Sequence, residues 1–456
     1  MRRLLALLLL VAAACGGPTA EPSTTTSAAT VTAPRVTVTT LPARIPLEIQ
    51  DCTAPQVGFS PLCEAYELVQ EWHMDRPIDP NKLANAALTG LDDFTTEATE
   101  PVPRTLFCAI PDPSFSPLCE LLADRVSDSA IPVGEAIEAA LVTMASTGLE
   151  QFSYYVPPEL VGSYRLNGVV GGIGVLLDAR DAAGSKCVRI SVACPLEIVV
   201  VLEDNPGAEA GLVPGDQIIT VDGEPVDGQG FVDTATRIAG DESGSVEIEV
   251  VRGGETLPLS ITRAPLTIPT VEIDIPRSGI GYLSIPDFEE DISGLVSDGL
   301  AQLGEGSVGR LVLDLRDNPG GYVDSAIEVA SAFIDGDVVL ETVGPGQDFE
   351  YEAATGGLFT QLDIAVLVNA GTASAAEILA TALRDQKGAE IIGEPTFGKD
   401  AVQLAFDLNN GGQFNVAVAR WLSPDGISVA GTGVLPDRTV NLPASMSTEE
   451  LADLAF

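Results

Sequence analysis

At 456 residues the chain has room for two or three domains with cores of their own, because single cores stop growing near about 250 to 300 residues. The formal charge of −43, from 66 acidic and 23 basic residues, argues against a nucleic-acid or anionic-lipid binding surface, since phosphates would be repelled. One histidine in the whole chain also makes a Cys/His metal centre a weak reading, and neither a metal nor a cofactor is expected.

Residues 1–15, MRRLLALLLLVAAAC, place two arginines before a leucine run and small residues, the layout of a secretory signal peptide. The run is too short to span a bilayer. Its end, Ala-Ala-Ala-Cys followed by Gly-Gly, resembles a bacterial lipobox, with Ala12 where leucine is more usual. Cys15 would then be the acylated first residue of an exported protein tied to the outer side of the cytoplasmic membrane; a plain signal peptide cut nearby is the alternative. Residues 16–48 are rich in Thr, Pro, Ser and Ala with few charges, a tether that cannot bury a core.

Residues 49–165 alternate apolar stretches at helical spacing, such as LANAALTGLDDF and EAIEAALVTMAS, with Pro-rich joints, so this region is expected to be helical. The six cysteines beyond Cys15 come as close couples, Cys52 with Cys63, Cys108 with Cys119, and Cys187 with Cys194. In an exported chain this predicts three local disulfides, two of them stapling the helical region through the related phrases CTAPQVGFSPLC and CAIPDPSFSPLC. Each such small loop contributes roughly 3 kcal/mol in the chain-entropy picture. Residues 166–265 change to short β-rich runs, among them VVGGIGVLL, IVVVLE, QIITVDG and VEIEVVR, with one helical stretch, GFVDTATRIAG. A small barrel-like sheet with a helix over an open edge is expected. From 266 to 456 strands alternate with helices: GRLVLDL and IAVLVN read as strands buried on both faces, each leading through a loop into a helix. The whole is a multidomain α+β / α/β chain.

Ser374 follows the second of these strands and opens GTASAAEILATAL; with Glu377 three residues on it forms a capping-box pattern, which explains it without any chemistry. As a nucleophile it would need a base, and the sole histidine, His73, lies roughly 300 residues earlier in the helical region. Lysine can serve when desolvated, and of the four lysines Lys399 sits among apolar and small residues in GEPTFGKDAVQ. A surface lysine in a loop is the plainer reading. Work as a base near neutrality requires a drop of roughly three pKa units from about 10.4, or about 4 kcal/mol against the ammonium form. That demands enclosure, and it demands that Asp400 face away. Backbone donors for an oxyanion are available at the helix N-terminus, with Ala375 first, and at the glycines of DNPGG, with Gly320 preferred over Gly321; a plain turn remains the other reading there.

At these residues the chain resembles the carboxyl-terminal processing proteases, also called tail-specific proteases. The resemblance runs from about 136 to 440 through YYVPPEL, GGIGV, NPGAEAGLVPGDQIITVDGEPV, GRLVLDLRDNPGG, VLVNAGTASAAEILATALRD, GEPTFGKDAVQ and VARWLSPDGISVAGTGVLPD. It implies a PDZ-like peptide-binding module at 166–265 and an α/β serine protease core at 266–456. It further implies Ser374 as nucleophile, Lys399 as general base 25 residues on, Gln403 as the partner orienting the amine, and Gly320 and Ala375 as oxyanion donors. Gly172, Ile173, Gly174 and Val175 would form the loop that receives a substrate's C-terminal carboxylate, its last residues adding as a strand to the sheet edge. Asp400, Ala376 and Ala239 depart from the family pattern. Substrates would be exported proteins with exposed apolar C-termini. The rival readings are a catalytically silent peptide-binding protein and an adaptor lipoprotein built on the N-terminal region.

Overall fold

The computed structural model describes residues 60–90 and 133–456, apart from 159–160, 162–163, 166–167, 171, 181–189, 203–204, 240–243, 265–270, 346–347 and 444. The signal peptide, Cys15, the tether, Cys52, Cys108, Cys119 and Cys187 lie outside these residues. Cys63 and Cys194 are each disulfide-bonded.

The described N-terminal region is helical: α1 (Ser60–Trp72), α2 (Pro80–Thr89) and α3 (Val133–Gly148). Helix α1 buries Leu62, Ala65, Tyr66 and Val69, an i, i+3, i+4, i+7 stripe. Asp79 caps α2 by accepting the Asn81 N–H at 2.9 Å, and Pro80 occupies the first turn, where no donor is needed. The apolar faces of these helices share one core with Phe406, Phe414 and Val416 from far along the chain. Strand β1 (Tyr154–Val156) follows.

The β-rich module comprises β2 (Tyr164–Arg165), β3 (Gly168–Val170), β4 (Val175–Ala179), β5 (Leu196–Val201), α4 (Pro206–Glu209), β6 (Gln217–Val221), β7 (Glu224–Pro225), α5 (Phe231–Ala239), β8 (Ser245–Arg252) and β9 (Glu255–Thr262). Its strands form one antiparallel sheet in the order β2-β3-β4-β5-β6-β8-β9, with β7 on β6. Asp222-Gly223 turns β6 into β7 with both φ positive, the two-residue turn whose twist matches the flanking strands. Inside, the buried Asp216 carboxylate accepts Arg252 Nε and Nη2, each at 2.6 Å, and the Val213 N–H at 3.0 Å. Hydrogen bonds from Arg252 are the main reason that its pKa is held below the usual carboxylate value. Strand β4 has no open edge at its middle, because β3 pairs with Leu176 and Leu177 on one side and β5 on the other.

The remaining chain runs β10 (Glu272–Arg277), β11 (Ile280–Ser284), α6 (Ile292–Glu305), β12 (Arg310–Asp314), α7 (Val323–Ala330), β13 (Val338–Val343), β14 (Phe349–Glu352), β15 (Asp363–Val368), α8 (Ala375–Lys387), β16 (Glu390–Gly393), β17 (Ala401–Asp407), β18 (Gln413–Leu422), β19 (Arg438–Thr439) and α9 (Thr448–Ala455). Strands β10-β11-β12-β15-β16-β19 make a sheet that is parallel except at β10. Its two faces explain the continuous apolar run in β12: Leu311 and Leu313 pack with α6, α7 and α8, and Val312 packs with Leu451 and Ala452 of α9. A second, antiparallel sheet takes β1 and β17 onto β18, then β13 and β14. Among the described residues no helix is long and apolar enough to cross a membrane.

Leu313 is wholly enclosed on a central strand. Leu313→Ala should lower unfolding free energy by about 2 to 5 kcal/mol, read from the urea midpoint at unchanged slope.

Candidate active site

Strands β12 and β15 are parallel neighbours, with Asp314 opposite Leu367, so the loops leaving their C-terminal ends lie side by side. Hydrogen bonds stitch them together. Thr372 Oγ1 donates to Leu315 O at 2.7 Å, the Ala373 N–H donates to Asn318 O at 2.9 Å, and Asn369 Nδ2 donates to Asp317 Oδ1 at 2.9 Å. Ahead of them, buried Asp314 accepts Tyr282 Oη at 2.9 Å and Arg316 Nη2 at 2.5 Å, while Arg316 Nη1 donates to Leu442 O at 3.2 Å. Burial, then the Asp314 charge, pushes the Tyr282 phenol well above its ordinary pKa, so it stays a donor.

Ser374 stands between β15 and α8 at φ 54°, ψ −117°, and is 9% exposed. The capping reading is half right: its N–H donates to Glu377 Oε2 at 2.8 Å. A cap, however, needs only an extended backbone. A side chain at positive φ costs about 1 to 3 kcal/mol, strain of the kind that gathers at functional sites.

Glu377 also holds the lysine loop. Its Oε2 accepts the Lys399 N–H at 3.0 Å, and its Oε1 accepts the Gly398 N–H at 2.8 Å and the Thr396 hydroxyl. With 0% exposure, Glu377 has its pKa pushed up by burial, against the downward pull of the four donors. The backbone nitrogens of Ser374 and Lys399 thus lie within two hydrogen-bond lengths of each other. Lys399 is 6% exposed, its carbonyl accepts Trp421 Nε1 at 2.9 Å, and its Nζ stands 5.8 Å from the Phe152 ring centre. The side chain of Asp400 is engaged elsewhere, 3.7 Å from Arg420 Nη1 and accepting Ser428 Oγ at 3.4 Å. A register shift between Val402 and Gln403 re-aims the strand after Lys399, and Gln403 Nε2 donates to Phe152 O.

The Gly320 N–H donates to Asn318 Oδ1 at 2.8 Å, so the preferred oxyanion donor is engaged in this structure. Its Cα nevertheless faces the site: at φ 101°, a Cβ there would stand 2.8 Å from Ser374 Cβ and 3.0 Å from Ala375 N. Among the described residues no acceptor pairs with the N–H of Ala375 or of Gly321.

In the β-rich module the carbonyls of Gly172, Ile173 and Gly174 accept the N–H groups of Ala264 (3.4 Å), Gly207 (2.7 Å) and Leu202 (2.8 Å). The N–H groups of these three residues are given to no backbone acceptor among the described residues. Val175 begins β4 opposite Val201. Although Ala239 removes one arginine from this end, Arg263 supplies another. Its Nε donates to Ile238 O at 3.0 Å and its Nη2 to Arg237 O at 2.6 Å, satisfying carbonyls at the end of α5 beside Gly172.

The residues missed from sequence are Asn318 and Phe152, together with the full role of Glu377. Only Glu377 carried a signal, as the acid of the capping box. No group of three or more metal-ligating side chains gathers among the described residues.

The profile of peptidase family S41 matches residues 279–440, and that of the PDZ domain matches 197–252. The carboxyl-terminal-processing protease of Synechocystis sp. is 32% identical over 331 residues, 71% of this chain and 75% of that one. The chloroplastic carboxyl-terminal-processing peptidase 2 of Arabidopsis thaliana is 33% identical over 69% of this chain, but the match spans only 62% of that protein. A CtpA-like serine protease of Staphylococcus haemolyticus is 29% identical over 69% of this chain and 62% of its own length. Among solved structures, the photosystem II D1 C-terminal processing protease superposes with TM-score 0.60 at 23% identity, covering 88% of this chain and 97% of that one.

Glutamine at 377 keeps one acceptor oxygen and adds two donors, facing four donors already in place. Glu377→Gln should cost about 2 kcal/mol or more in stability. Because burial raises the folded pKa of Glu377, its contribution is greatest at low pH and is lost as pH rises through that value. Urea titrations at pH 4 to 8 should show that slope in the parent and a flatter one in the variant.

Proposed function

The chain belongs to peptidase family S41 and is a serine peptidase of the carboxyl-terminal-processing kind with a PDZ domain, and we propose that Ser374 and Lys399 form its catalytic dyad. The observation that carries this reading is the Glu377 oxygen shared by the Ser374 and Lys399 N–H groups. A structural cap explains the first bond; the second, from the lysine loop to the same oxygen, brings the two residues together and supports the reading.

In this mechanism neutral Lys399 Nζ takes the proton of Ser374 Oγ as the oxygen attacks a peptide carbonyl carbon. The tetrahedral oxyanion is held by the Ala375 N–H and by that of Gly320, released from Asn318, with Gly321 the other candidate. Lys399 then returns the proton to the leaving amine, the C–N bond breaks, and an acyl-enzyme remains. Water, deprotonated by the same amine, hydrolyses it. Gln403 orients the amine. The hydroxyl and amine close to hydrogen-bond distance when substrate excludes the remaining water, as catalytic contacts commonly do.

The substrate class is exported proteins with exposed apolar C-termini. The loop of Gly172, Ile173, Gly174 and Val175 receives the terminal carboxylate, and the last residues add to β4 in the place that β3 now takes. Export and a lipid anchor at Cys15 complete this reading, with disulfides Cys52–Cys63, Cys108–Cys119 and Cys187–Cys194.

An unfolded protein ending in apolar residues should be cut by the chain lacking residues 1–48. Ser374→Ala and Lys399→Ala should each slow cleavage about 10³-fold or more, followed by mass spectrometry, while peptide binding stays within twofold. Equal cleavage by either variant overturns the dyad; binding without cleavage by the parent favours the silent peptide-binding protein.

A further inference from the structure

His73 is 1% exposed, and the Asp75 N–H donates to its Nδ1 at 3.0 Å. Its Nε2 stands 3.7 Å from Glu150 Oε1. That carboxylate accepts its own next turn: the Phe152 N–H at Oε2 and the Ser153 hydroxyl at Oε1, both at 2.5 Å. Burial pushes the Glu150 pKa up, but the His73 ring, the Ser153 hydroxyl and the Phe152 N–H together hold it below its ordinary value, so it is ionised at neutral pH. The turn is fastened to β18 by the Ala417 N–H donating to Ser153 Oγ at 3.0 Å, and the His73 segment by the Met74 N–H donating to Ala417 O at 2.8 Å.

What this turn presents is Phe152. Its carbonyl can only accept, so the Gln403 amide must turn its NH₂ that way and its Oε1 toward a donor elsewhere. Its ring stands 5.8 Å from Lys399 Nζ and packs with Met74, Ala401 and Ala417.

We propose that Phe152, held by Glu150 and His73 of the N-terminal region, is a positioning residue that keeps water from the Lys399 amine and sets the orientation of Gln403. This rests on the Ser374/Lys399 reading. Two effects of the ring oppose each other. Cation–π attraction favours the ammonium by about 0.5 to 2 kcal/mol and fades near about 6 Å; loss of water disfavours it by up to about 3 to 5 pKa units in a full enclosure. We take desolvation to outweigh this attraction, because the amine stands near the outer limit of cation–π reach. Charged groups beside the lysine among the described residues include Glu377 of α8, which accepts its N–H, and Asp400, which stands 3.7 Å from Arg420 of β18; Arg420 also pairs with Asp75 at 3.2 Å.

The test uses the full chain and the variants Phe152→Leu, Phe152→Tyr, Glu150→Gln and Lys399→Ala, with kcat and KM measured from pH 5 to 10. Phe152→Leu and Glu150→Gln should lower kcat about tenfold with KM within twofold, and the rising limb of the rate should move up by half a pH unit or more; Phe152→Tyr should restore both. In a Ser374→Ala background, acylation of Lys399 by an amine-directed reagent, located by mass spectrometry, should show the same upward shift. An unmoved or lowered limb, or a kcat loss that merely follows a fall in Tm, overturns the proposal. If Lys399→Ala keeps its activity the dyad itself fails, which the Phe152 variants alone would not show.

Discussion

The Glu377 carboxylate is the group on which both halves of the site depend. It is fully buried and accepts from Ser374, Thr396, Gly398 and Lys399, three of which belong to a loop about twenty residues further along the chain. An unpaired buried carboxylate would be several kcal/mol too costly to keep. A fully accepted one is tolerated, and because its donors come from two loops it also fixes their separation. The strained backbone of Ser374 survives for a related reason. Its neighbours on both sides are tied down, Ala373 to Asn318 and Ile378 to the Ser374 carbonyl at 3.0 Å, so relaxing φ would break bonds worth more than the strain.

The parallel sheet leads to Ser374 and the antiparallel sheet to Lys399. Ser374 follows β15 of the first, whereas Lys399 and Gln403 lead into and lie on β17 of the second. Trp421 of β18 ties the base to that sheet through the Lys399 carbonyl. The site therefore forms where two independently hydrogen-bonded layers meet over one apolar core, which holds residues of both, among them Val366 and Trp421. Slippage of either layer would separate the serine from the lysine, and Glu377 is the bond that opposes it.

Much of this was legible in the residues, and the rest was hidden for physical reasons. The alternation of buried strands and helices after 266 could be read because each parallel strand is apolar on both faces, and the serine, lysine and glutamine stood in phrases with a recognisable order. Local pattern carries no pairing information, so nothing in YYV announces that Tyr154 lies opposite Asn415. That one long-range pairing carries the segment around Phe152 to Lys399 and makes the helical region, read as having no chemistry, a neighbour of the site. The partner of β4 was hidden similarly: a three-residue strand, GVV, is too short for its pairing to be told from sequence, and it lies beside β4. The Gly320 N–H was correctly placed near Ser374, but the claim that buried Asn318 makes on it is a tertiary hydrogen bond with no local sign.

A chain with a formal charge of −43 sets a lysine base an electrostatic problem, which the fold answers at short range. A bare carboxylate about 6 Å away at an effective dielectric of about 20 favours an ammonium by about 3 kcal/mol, close to the whole shift that a neutral lysine requires. Distant surface acids are screened beyond about 8 to 10 Å, so only the neighbours matter. Asp400 is turned to Arg420 and Ser428. Glu377 is saturated by four donors and is itself driven toward its neutral form by burial. A further nearby face is the ring of Phe152, 5.8 Å from the amine, which brings no negative charge. Asp400 and Glu377, the two acids bonded next to Lys399 in the site's loops, thus each have other partners of their own.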